Sequence, residues 1–230
     1  MAQPPSIALE FLPGSRHRMG YEDFVRLIPD GKQAEWVDGE VIVMTTNRRH
    51  VRFARLLAGV LSSFVLVFDL GEVFPAPFLM RARPDGPGRE PDIAVVLTEH
   101  LARVDRVAIE GPADLAVEIV SDDSVGRDRV EKLAEYAAAG VPEYLIVEAR
   151  EGHRGVALHR LDAEGRYQAV APDAGGRSHS LVLPGFWIDP ARFDEEPPPG
   201  VEELMFDLAP DAYPAWLATT QDKRRRPTTQ

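Results

Sequence analysis

The chain has 230 residues, 44% of them hydrophobic and 27% charged, which is typical of a globular rather than a disordered protein. It contains no cysteine, which excludes disulfides and thiolate metal sites and leaves oxygen and imidazole ligands for any metal. The net charge of −11 argues against a protein that coats nucleic acid through a uniformly basic surface. An enzyme with a local basic cleft is still compatible with this charge.

The sequence shows no sign of a membrane segment or of export. No apolar run approaches the roughly 20 residues that span a bilayer. The N-terminus, MAQPPSIALE, lacks a basic segment followed by an apolar one, as a secretory signal would have. We therefore expect a cytoplasmic protein without a membrane partner.

The first third of the chain predicts a short helix, a hairpin and a long helix. The short helix covers residues 21–28, and the Asp-Gly pair inside 35–44 is typical of a hairpin turn between two strands. A long helix is predicted over 47–68, with Asn47 as its N-cap. Its expected apolar stripe consists of Val51, Ala54, Leu57, Ala58 and Leu61.

The middle of the chain begins with strand predictions. Residues 71–82 suggest one extended strand, which Pro75 and Pro77 confine to a sheet edge or a bulge. After a turn at 83–88, a short apolar strand is expected at 90–97.

A strand–helix–strand unit is predicted next. The strand at 114–120 precedes a helix at 124–140, which Ser124 would cap, and a second strand at 142–149. The helix should stop at Gly140, just before a proline. Two strands joined in this way normally lie parallel with a right-handed crossover.

The last third predicts three more extended segments and one helix. The segments are 155–161, 165–171 and 179–186, with a hairpin turn between the first two. A docking helix is predicted at 201–208, and a mobile basic tail at the end of the chain. We divide the chain into an N-terminal extension (1–20), one α/β domain (21–192) and a C-terminal extension (193–230).

Glu118 interrupts an otherwise apolar strand, within DLAVEIVSDDS at 114–124. An ionised carboxylate buried alone is very costly, so Glu118 requires a cation, hydrogen-bond donors or a proton. An arginine partner, or a place on the wet face of an edge strand, would satisfy it without any functional role.

Asp92 supplies a second carboxylate at the start of the apolar strand EPDIAVV. If the strands of Asp92 and Glu118 are neighbours, the two carboxylates would repel each other unless a cation lay between them. A hard cation such as Mg²⁺ satisfies such a pair. The structural alternative is that Asp92 merely begins a strand after a Pro-Asp turn.

The predicted helix at 124–140 carries the candidate cations. Lys132 follows Asp128 by four residues, so a surface ion pair explains it. Beside two metal-binding carboxylates, the same ammonium could orient a water or stabilise developing charge. Arg127 and Arg129 could line a phosphate path, although an exposed helix face explains them more simply.

Five motifs in order make the sequence familiar. EPDIAVV, DLAVEIVSDDS and RDRVEKLAEYAAAGVPEYLIVE, with EWVDGEVIVMTTNRRH before them and HSLVLPGF after them, resemble the Uma-two family of endonucleases. The resemblance covers about residues 20–190. It implies the PD-(D/E)XK superfamily and an α/β, restriction-endonuclease-like core: a mixed central sheet flanked by helices, here with an extra C-terminal antiparallel segment.

The resemblance assigns roles to the residues of these motifs. Asp92 matches the Asp of the PD motif and Glu118 the (D/E) position, and both would bind metal together with the backbone carbonyl of Ile119. The usual superfamily lysine would fall at Val120, which cannot serve. Lys132, on the following helix, matches the lysine that this family places there.

Two further residues match family positions near the site. Glu40 would add a carboxylate, and His50 would contact phosphate or water. Without the resemblance, Glu40 reads as an exposed hairpin residue and His50 as a solvent-facing residue in the first turn of a helix. The chain departs from the family pattern at 121–124 and at Glu148, which leaves the substrate contacts near 121–124 open.

The function implied is that of a Mg²⁺-dependent endonuclease, with Mn²⁺ able to substitute, that cuts nucleic acid, for which we favour DNA. A homodimer would suit a duplex, because two sites could cut the two strands. The alternative is a catalytically silent binding module on the same fold, which the net charge of −11 motivates. A two-carboxylate glycosidase ranks last, because no aromatic cluster accompanies the motifs.

Overall fold

A computed structural model of the protein describes residues 10–29, 31–121, 124–150, 152–153 and 155–225. The helices are α1 (Tyr21–Leu27), α2 (Arg48–Phe68), α3 (Lys132–Ala139), α4 (Val201–Leu208) and α5 (Ala212–Arg225). The strands are β1 (Arg16–Arg18), β2 (Ala34–Val37), β3 (Glu40–Val43), β4 (Gly71–Pro75), β5 (Leu79–Arg81), β6 (Ile93–Leu97), β7 (Ala108–Glu110), β8 (Leu115–Val120), β9 (Glu143–Glu148), β10 (Val156–Leu161), β11 (Tyr167–Ala169), β12 (Ser178–His179) and β13 (Trp187–Ile188).

A six-stranded sheet with the order β11-β10-β9-β8-β6-β4 forms the centre of the fold. Strands β8 and β9 are parallel and joined through α3, whereas all other neighbours in this sheet are antiparallel. The predicted strand–helix–strand unit is therefore confirmed, and so is the α/β class with a mixed central sheet.

Alternate residues of the central strands face two separate apolar layers. Val117 and Ile119 of β8 lie in the layer that contains the buried side of α2. Ala116 and Val120 face the opposite layer, which contains Tyr136 of α3. Because side chains alternate along a strand, Glu118 points toward α3 together with Ala116 and Val120.

Helix α2 confirms the predicted start, because the Asn47 side chain accepts a hydrogen bond from the backbone N–H of His50. The predicted stripe is partly wrong: Val51 is 52% exposed, while Leu57 and Leu61 are buried. The buried face of α2 is rotated relative to the predicted stripe, because the bulkier side chains pack against the sheet. It consists of His50, Phe53, Leu57, Val60, Leu61, Phe64 and Val65.

Helix α2 has 21 residues and, by length and composition alone, could cross a membrane. Its apolar sequence is interrupted by Arg48, Arg49, Arg52 and Arg55, so it is not a continuous apolar run of that length. A core helix of a globular domain passes the same test, and α2 packs Phe53, Leu57 and Phe64 into the main apolar layer. We therefore describe α2 as a core helix.

The predicted hairpin at 35–44 is confirmed as β2 and β3, which form a small antiparallel sheet with β1. Asp38 and Gly39 at its turn have φ values of 49° and 81°. Positive φ at both central residues is what a tight two-residue hairpin turn requires, and an Asp-Gly pair supplies it.

Two predicted extended segments are each divided in the structure. Residues 71–82 form β4, at the edge of the central sheet as predicted, and then β5, which pairs with β7. Within 179–186 only the first residue is in a strand, and a turn leads on to β13.

The C-terminal extension folds against the main core. The predicted helix at 201–208 is confirmed as α4, and its Leu204 and Met205 are buried. The segment predicted to be a basic tail begins inside α5, which extends to Arg225. Residues 226–230 lie outside the described residues.

Candidate active site

Asp92 and Glu118 lie side by side at the end of the central sheet. Strands β6 and β8 are antiparallel with Ile93 opposite Val117, so the next position outward sets Asp92 opposite Glu118. The Ile119 backbone N–H donates to Asp92 Oδ2 at 2.7 Å, which fixes this carboxylate against β8. Directly opposite residues have Cβ atoms about 4.5–5.5 Å apart, so the register brings the two acids together.

Glu118 is only 3% exposed and is held by two donors. Tyr136 Oη donates to its Oε1 at 3.0 Å, and Lys132 Nζ lies 2.8 Å from the same oxygen. Burial raises the pKa of Glu118 well above its usual value; Lys132 opposes this rise, and Asp128 and Asp92 add to it. The charge inside the apolar strand is therefore compensated by a lysine rather than an arginine.

Lys132 is 2% exposed and contacts three carboxylates. Its Nζ lies 2.7 Å from Glu35 Oε1, 2.8 Å from Glu118 Oε1 and 3.4 Å from Asp128 Oδ1. Burial alone would lower the pKa of Lys132, but these acids raise it well above its usual value. The alternative of a surface pair with Asp128 is thus wrong, because both residues are buried.

Glu35 on β2 completes a buried ionic cluster with Lys132, Glu118 and Asp128. No pattern in the sequence identified Glu35 as a site residue. Its side chain is fully buried between Lys132 and Arg89, whose Nη1 donates to Glu35 Oε2 at 2.8 Å. Burial alone would raise the pKa of Glu35, but Lys132 and Arg89 lower it to about 2. Glu35 is therefore an anion that holds Lys132 in place.

Glu40 does not line the cleft that Asp92 and Glu118 form. It lies on β3, where its Oε2 accepts from Arg16 Nη1 at 2.6 Å on the partly exposed side of the small sheet. Glu35 and Glu40 share one face of the hairpin, but Glu40 lies next to the turn and pairs with Arg16, whereas Glu35 contacts Lys132. The structure therefore brings Glu35, and not the predicted Glu40, to the buried lysine.

His50 is buried in the first turn of α2 and reaches the site. Its Nε2 donates to Asp92 Oδ1 at 3.0 Å. Burial alone would lower the pKa of His50, but this contact and a hydrogen bond to the Ile119 backbone raise it. The solvent-facing alternative is therefore excluded, and the Ile119 backbone faces the same cleft.

A π-helical turn at Arg127–Glu131 leads into α3 and shapes the cation side of the cleft. The Lys132 N–H donates to the Arg127 carbonyl, which is the five-residue step of a π-helix. In an α-helix, residues five apart are separated by roughly 140° around the helix axis and therefore lie on different faces. The wider turn lets Arg127, Asp128 and Lys132 line one cleft together.

Arg127 differs from its neighbours in having donors to spare. Its Nε is buried, lies 3.7 Å from Glu35 Oε2 and forms no hydrogen bond with any residue that the structure describes. Arg129, in contrast, is exposed and donates to Glu148 at 2.9 Å, away from the cleft. Of the two arginines considered for a phosphate path, the structure brings only Arg127 into the cleft.

The oxygen donors of the cleft suit a hard cation. Among the described residues, no group of three or more His, Asp or Glu side chains has the arrangement of a metal site. Mg²⁺ usually keeps several waters and takes only one or two protein carboxylates, a demand that Asp92 and Glu118 meet. Asp128 Oδ1 is also buried beside them and has no hydrogen-bond partner among the residues that the structure describes. The residues present therefore fit a magnesium ion held by two carboxylates and water.

Comparison with known proteins identifies the family of the chain. The Uma2 family model, described as "Putative restriction endonuclease", matches residues 21–191. The chain belongs to the Uma2 family. No curated protein matches the sequence.

The Uma2-family fold is also found in a solved structure, a putative nuclease of DUF820 from Anabaena variabilis. The two chains share 16% identity with a TM-score of 0.58, over 75% of this chain and 95% of the other. The likeness at this identity concerns the fold alone, and it confirms the nuclease-like architecture that the resemblance implied.

The residues missed by the sequence analysis of this Uma2 chain share one property. Glu35, Arg89 and Tyr136 come from three separate segments and meet only through tertiary packing. A tyrosine in a predicted helix or a glutamate in a hairpin is an ordinary residue in sequence.

Proposed function

We propose that this Uma2-family protein is a metal-dependent endonuclease that hydrolyses phosphodiester bonds, with DNA as its substrate. The observation that carries the proposal is the pairing of Asp92 with Glu118 across β6 and β8, beside the buried Lys132. Two acids and a lysine on one side of a cleft form the set that metal-assisted phosphodiester hydrolysis requires.

The metal ligands in this proposal are the carboxylates of Asp92 and Glu118 and the backbone carbonyl of Ile119. Mg²⁺, or Mn²⁺ in its place, would polarise the scissile phosphate and lower the pKa of a bound water. His50 orients Asp92 through their hydrogen bond. Lys132 would offset, through its charge, the negative charge that develops on the phosphate, while its N–H groups hold the surrounding carboxylates.

Arg127 is the cation of the cleft that can bind the substrate phosphate. The three N–H groups of Lys132 face three carboxylates, so few donors remain there for an incoming anion. Arg127 keeps its planar fork of donors, which matches a phosphate well. We therefore assign phosphate binding to Arg127.

The substitution Glu118→Gln tests the proposal with little change in shape. The amide oxygen can still accept from Tyr136 and Lys132, but the charge that would bind a cation is lost. We expect cleavage of supercoiled DNA in Mg²⁺ or Mn²⁺ to fall by at least about a hundredfold, as is typical when one essential catalytic contact is removed. Calorimetric titration should show that Mn²⁺ binding weakens in parallel.

Glu143→Gln is the matched control, because Glu143 is a buried glutamate on the adjacent β9 that bonds Ser180 and Arg160 outside the cleft. It should retain cleavage even if its unfolding temperature falls. Cleavage that survives Glu118→Gln would contradict the mechanism. A wild-type protein that binds nucleic acid but neither Mn²⁺ nor Mg²⁺ would support the alternative of a silent binding module.

A substitution of Lys132 is expected to affect stability as well as activity, because this side chain is buried. Its removal would leave Glu35, Glu118 and Asp128 without their shared cation, which typically costs about 3–5 kcal/mol for a broken buried pair. A Lys132→Ala protein is therefore expected to lose stability as well as cleavage. Activity of that variant should be compared only after circular dichroism shows that it is folded.

We also propose a homodimer as the form that acts on duplex DNA, since two sites could then reach the two strands. Sedimentation of the full chain tests this. A monomer at all concentrations, with duplex cleavage intact, would contradict it.

A further inference from the structure

A second, larger cavity opens beside the cleft. It has a volume of about 220 Å³, compared with about 20 Å³ for the cleft. It lies between α1 and the segments that precede β5 and β7. We call it the side groove, and its walls include Phe24, Ile28, Lys32, Phe78, Glu90 and Arg106.

The side groove adjoins the proposed catalytic cleft at two points of the chain. Glu90 lies two residues before Asp92, so little more than one extended dipeptide separates the two carboxyl groups. Lys32 precedes Gln33, whose side chain donates to Asp92 Oδ1 at 3.3 Å. A chain-like ligand bound in the cleft could therefore continue into the side groove.

Two cations of the side groove have no side-chain partner among the described residues. The side chains of Lys32 and Arg106 form no ion pair or hydrogen bond with any residue that the structure describes, although the chain carries a net charge of −11. Glu90 Oε2 accepts from the Ala34 N–H at 2.8 Å, and its other oxygen has no described partner. The groove thus presents two cations without a described side-chain partner around the carboxyl group of Glu90.

The walls between these polar groups are apolar and partly aromatic. Phe78 lies against Phe74 in a stacked arrangement, with ring centroids 4.9 Å apart, so its ring is held in place. Phe24 and Ile28 of α1 form the opposite wall. A ligand that complements this groove needs a flat apolar body, an N–H donor and an anionic group, which together describe a nucleotide.

We propose that the side groove binds one unpaired nucleotide of the substrate strand next to the scissile phosphate. Its base would lie against Phe78 and donate to Glu90, and its phosphate would contact Lys32 and Arg106. This inference rests on the proposed nuclease function and narrows its substrate class. A base must leave the duplex stack to enter the groove, so the substrate is a single strand or a duplex in which one nucleotide at the cut is unpaired or flipped out.

Equilibrium binding tests the groove without any cleavage. A fluorescein-labelled octanucleotide, single-stranded or annealed to its complement, is titrated with the full-length protein in EDTA while anisotropy is recorded. We expect the single strand to bind at least about tenfold more tightly than the duplex, in line with the stacking of one base. Replacing one base at a time by an abasic position should identify a single position where affinity falls.

The variants separate the parts of the groove. Lys32→Gln and Arg106→Gln should each weaken single-strand binding for every base and reduce the salt slope by about 0.7. Glu90→Gln should change which base is preferred, because an amide can donate as well as accept. Arg55→Gln is the control, since Arg55 is an exposed cation of α2 that lines neither cavity.

The outcomes distinguish this inference from the proposed function. Equal binding of single strand and duplex, with the Lys32 and Arg106 variants binding like Arg55→Gln, would contradict nucleotide binding in the side groove. Metal-dependent cleavage by the same protein would then still support the proposed nuclease function. Groove-dependent binding without cleavage in Mg²⁺ or Mn²⁺ would support the side groove and contradict the nuclease. Absence of binding to either oligonucleotide would overturn the groove.

Discussion

At the scale of single residues, the buried charges depend on one another. Lys132 is stable in the interior only because Glu35, Glu118 and Asp128 surround it, and Glu35 in turn needs Arg89. Such clusters contribute little net stability when complete, but the loss of one member is expensive. They do hold their atoms in one arrangement, which is what a catalytic site needs.

Glu35 makes the free energy of unfolding depend on pH in the acid range. Its pKa falls from 4.5 to about 2 on folding, so its contribution is complete above about pH 4.5 and is lost as the pH falls toward 2. The contribution is on the order of 3 kcal/mol. Urea unfolding of wild type and Glu35→Gln should differ by this amount at pH 7 and much less at pH 3; a difference that stays constant over this range would contradict the assignment.

The two carboxylates and the lysine differ in how far the sequence could predict them. Glu118 and Asp92 interrupt or begin apolar strands, so each is visible as an exception to a pattern. Lys132 follows an acid at helical spacing, which fits a surface pair equally well, and only the family resemblance selected it. Glu35 could not be separated from Glu40, because both lie on the same face of the hairpin and only packing against α3 decides which of them meets Lys132.

At the scale of secondary structure, the π turn before α3 sets the geometry of the cleft. Deleting Val130, which is 67% exposed, should convert this turn into a regular α-helix. Arg127 would then lie one α-helical turn before the lysine, in the place of Asp128. We expect the deletion to leave the circular dichroism spectrum unchanged and to lower kcat about a hundredfold, as misplaced catalytic groups commonly do.

Val130→Ala is the control for the deletion, since it removes the side chain and keeps the turn. This variant should cleave as well as the wild type. Equal activity of the deletion variant would mean that the π turn does not position Arg127 and Asp128.

The N-cap of α2 connects helix stability to the site. Asn47→Ala should lower the free energy of unfolding by about 1 kcal/mol, because the His50 N–H loses its acceptor. The same change should lower kcat, since His50 would no longer be fixed against Asp92. Asn47→Asp and Asn47→Ser, which can also cap the helix, should restore both; failure to restore activity would separate the cap from the site.

The helices and most strands could be predicted because their signals are local. Asn47, the Asp-Gly turn and Gly140 each mark a boundary through backbone chemistry alone. The π turn could not be predicted, because it arises where buried side chains of the helix must meet β2 and β8. The division of residues 71–82 between two sheets likewise depends on pairing with β6 and β7, which are distant in sequence.

At the scale of the whole molecule, the C-terminal helices belong to the same core as the sheet. Met205 of α4 is fully buried in the main apolar layer, although it lies beyond the segment that the family model matches. Met205→Ala should therefore lower the free energy of unfolding by about 2–5 kcal/mol. Phe206→Ala, at a neighbouring side chain that is 48% exposed, should cost far less; equal losses would contradict the docking of α4.

The antiparallel pairing of β6 with β8 makes the distance between the two acids independent of the chain that connects them. A long segment of the chain that includes β7 connects Asp92 to Glu118. The pairing register of β6 and β8 nevertheless brings the two side chains together. Insertions or deletions between Leu97 and Asp114 can therefore accumulate without loosening the acid pair. A slip of one residue between the two strands, in contrast, would turn one acid to the opposite face and disable the site.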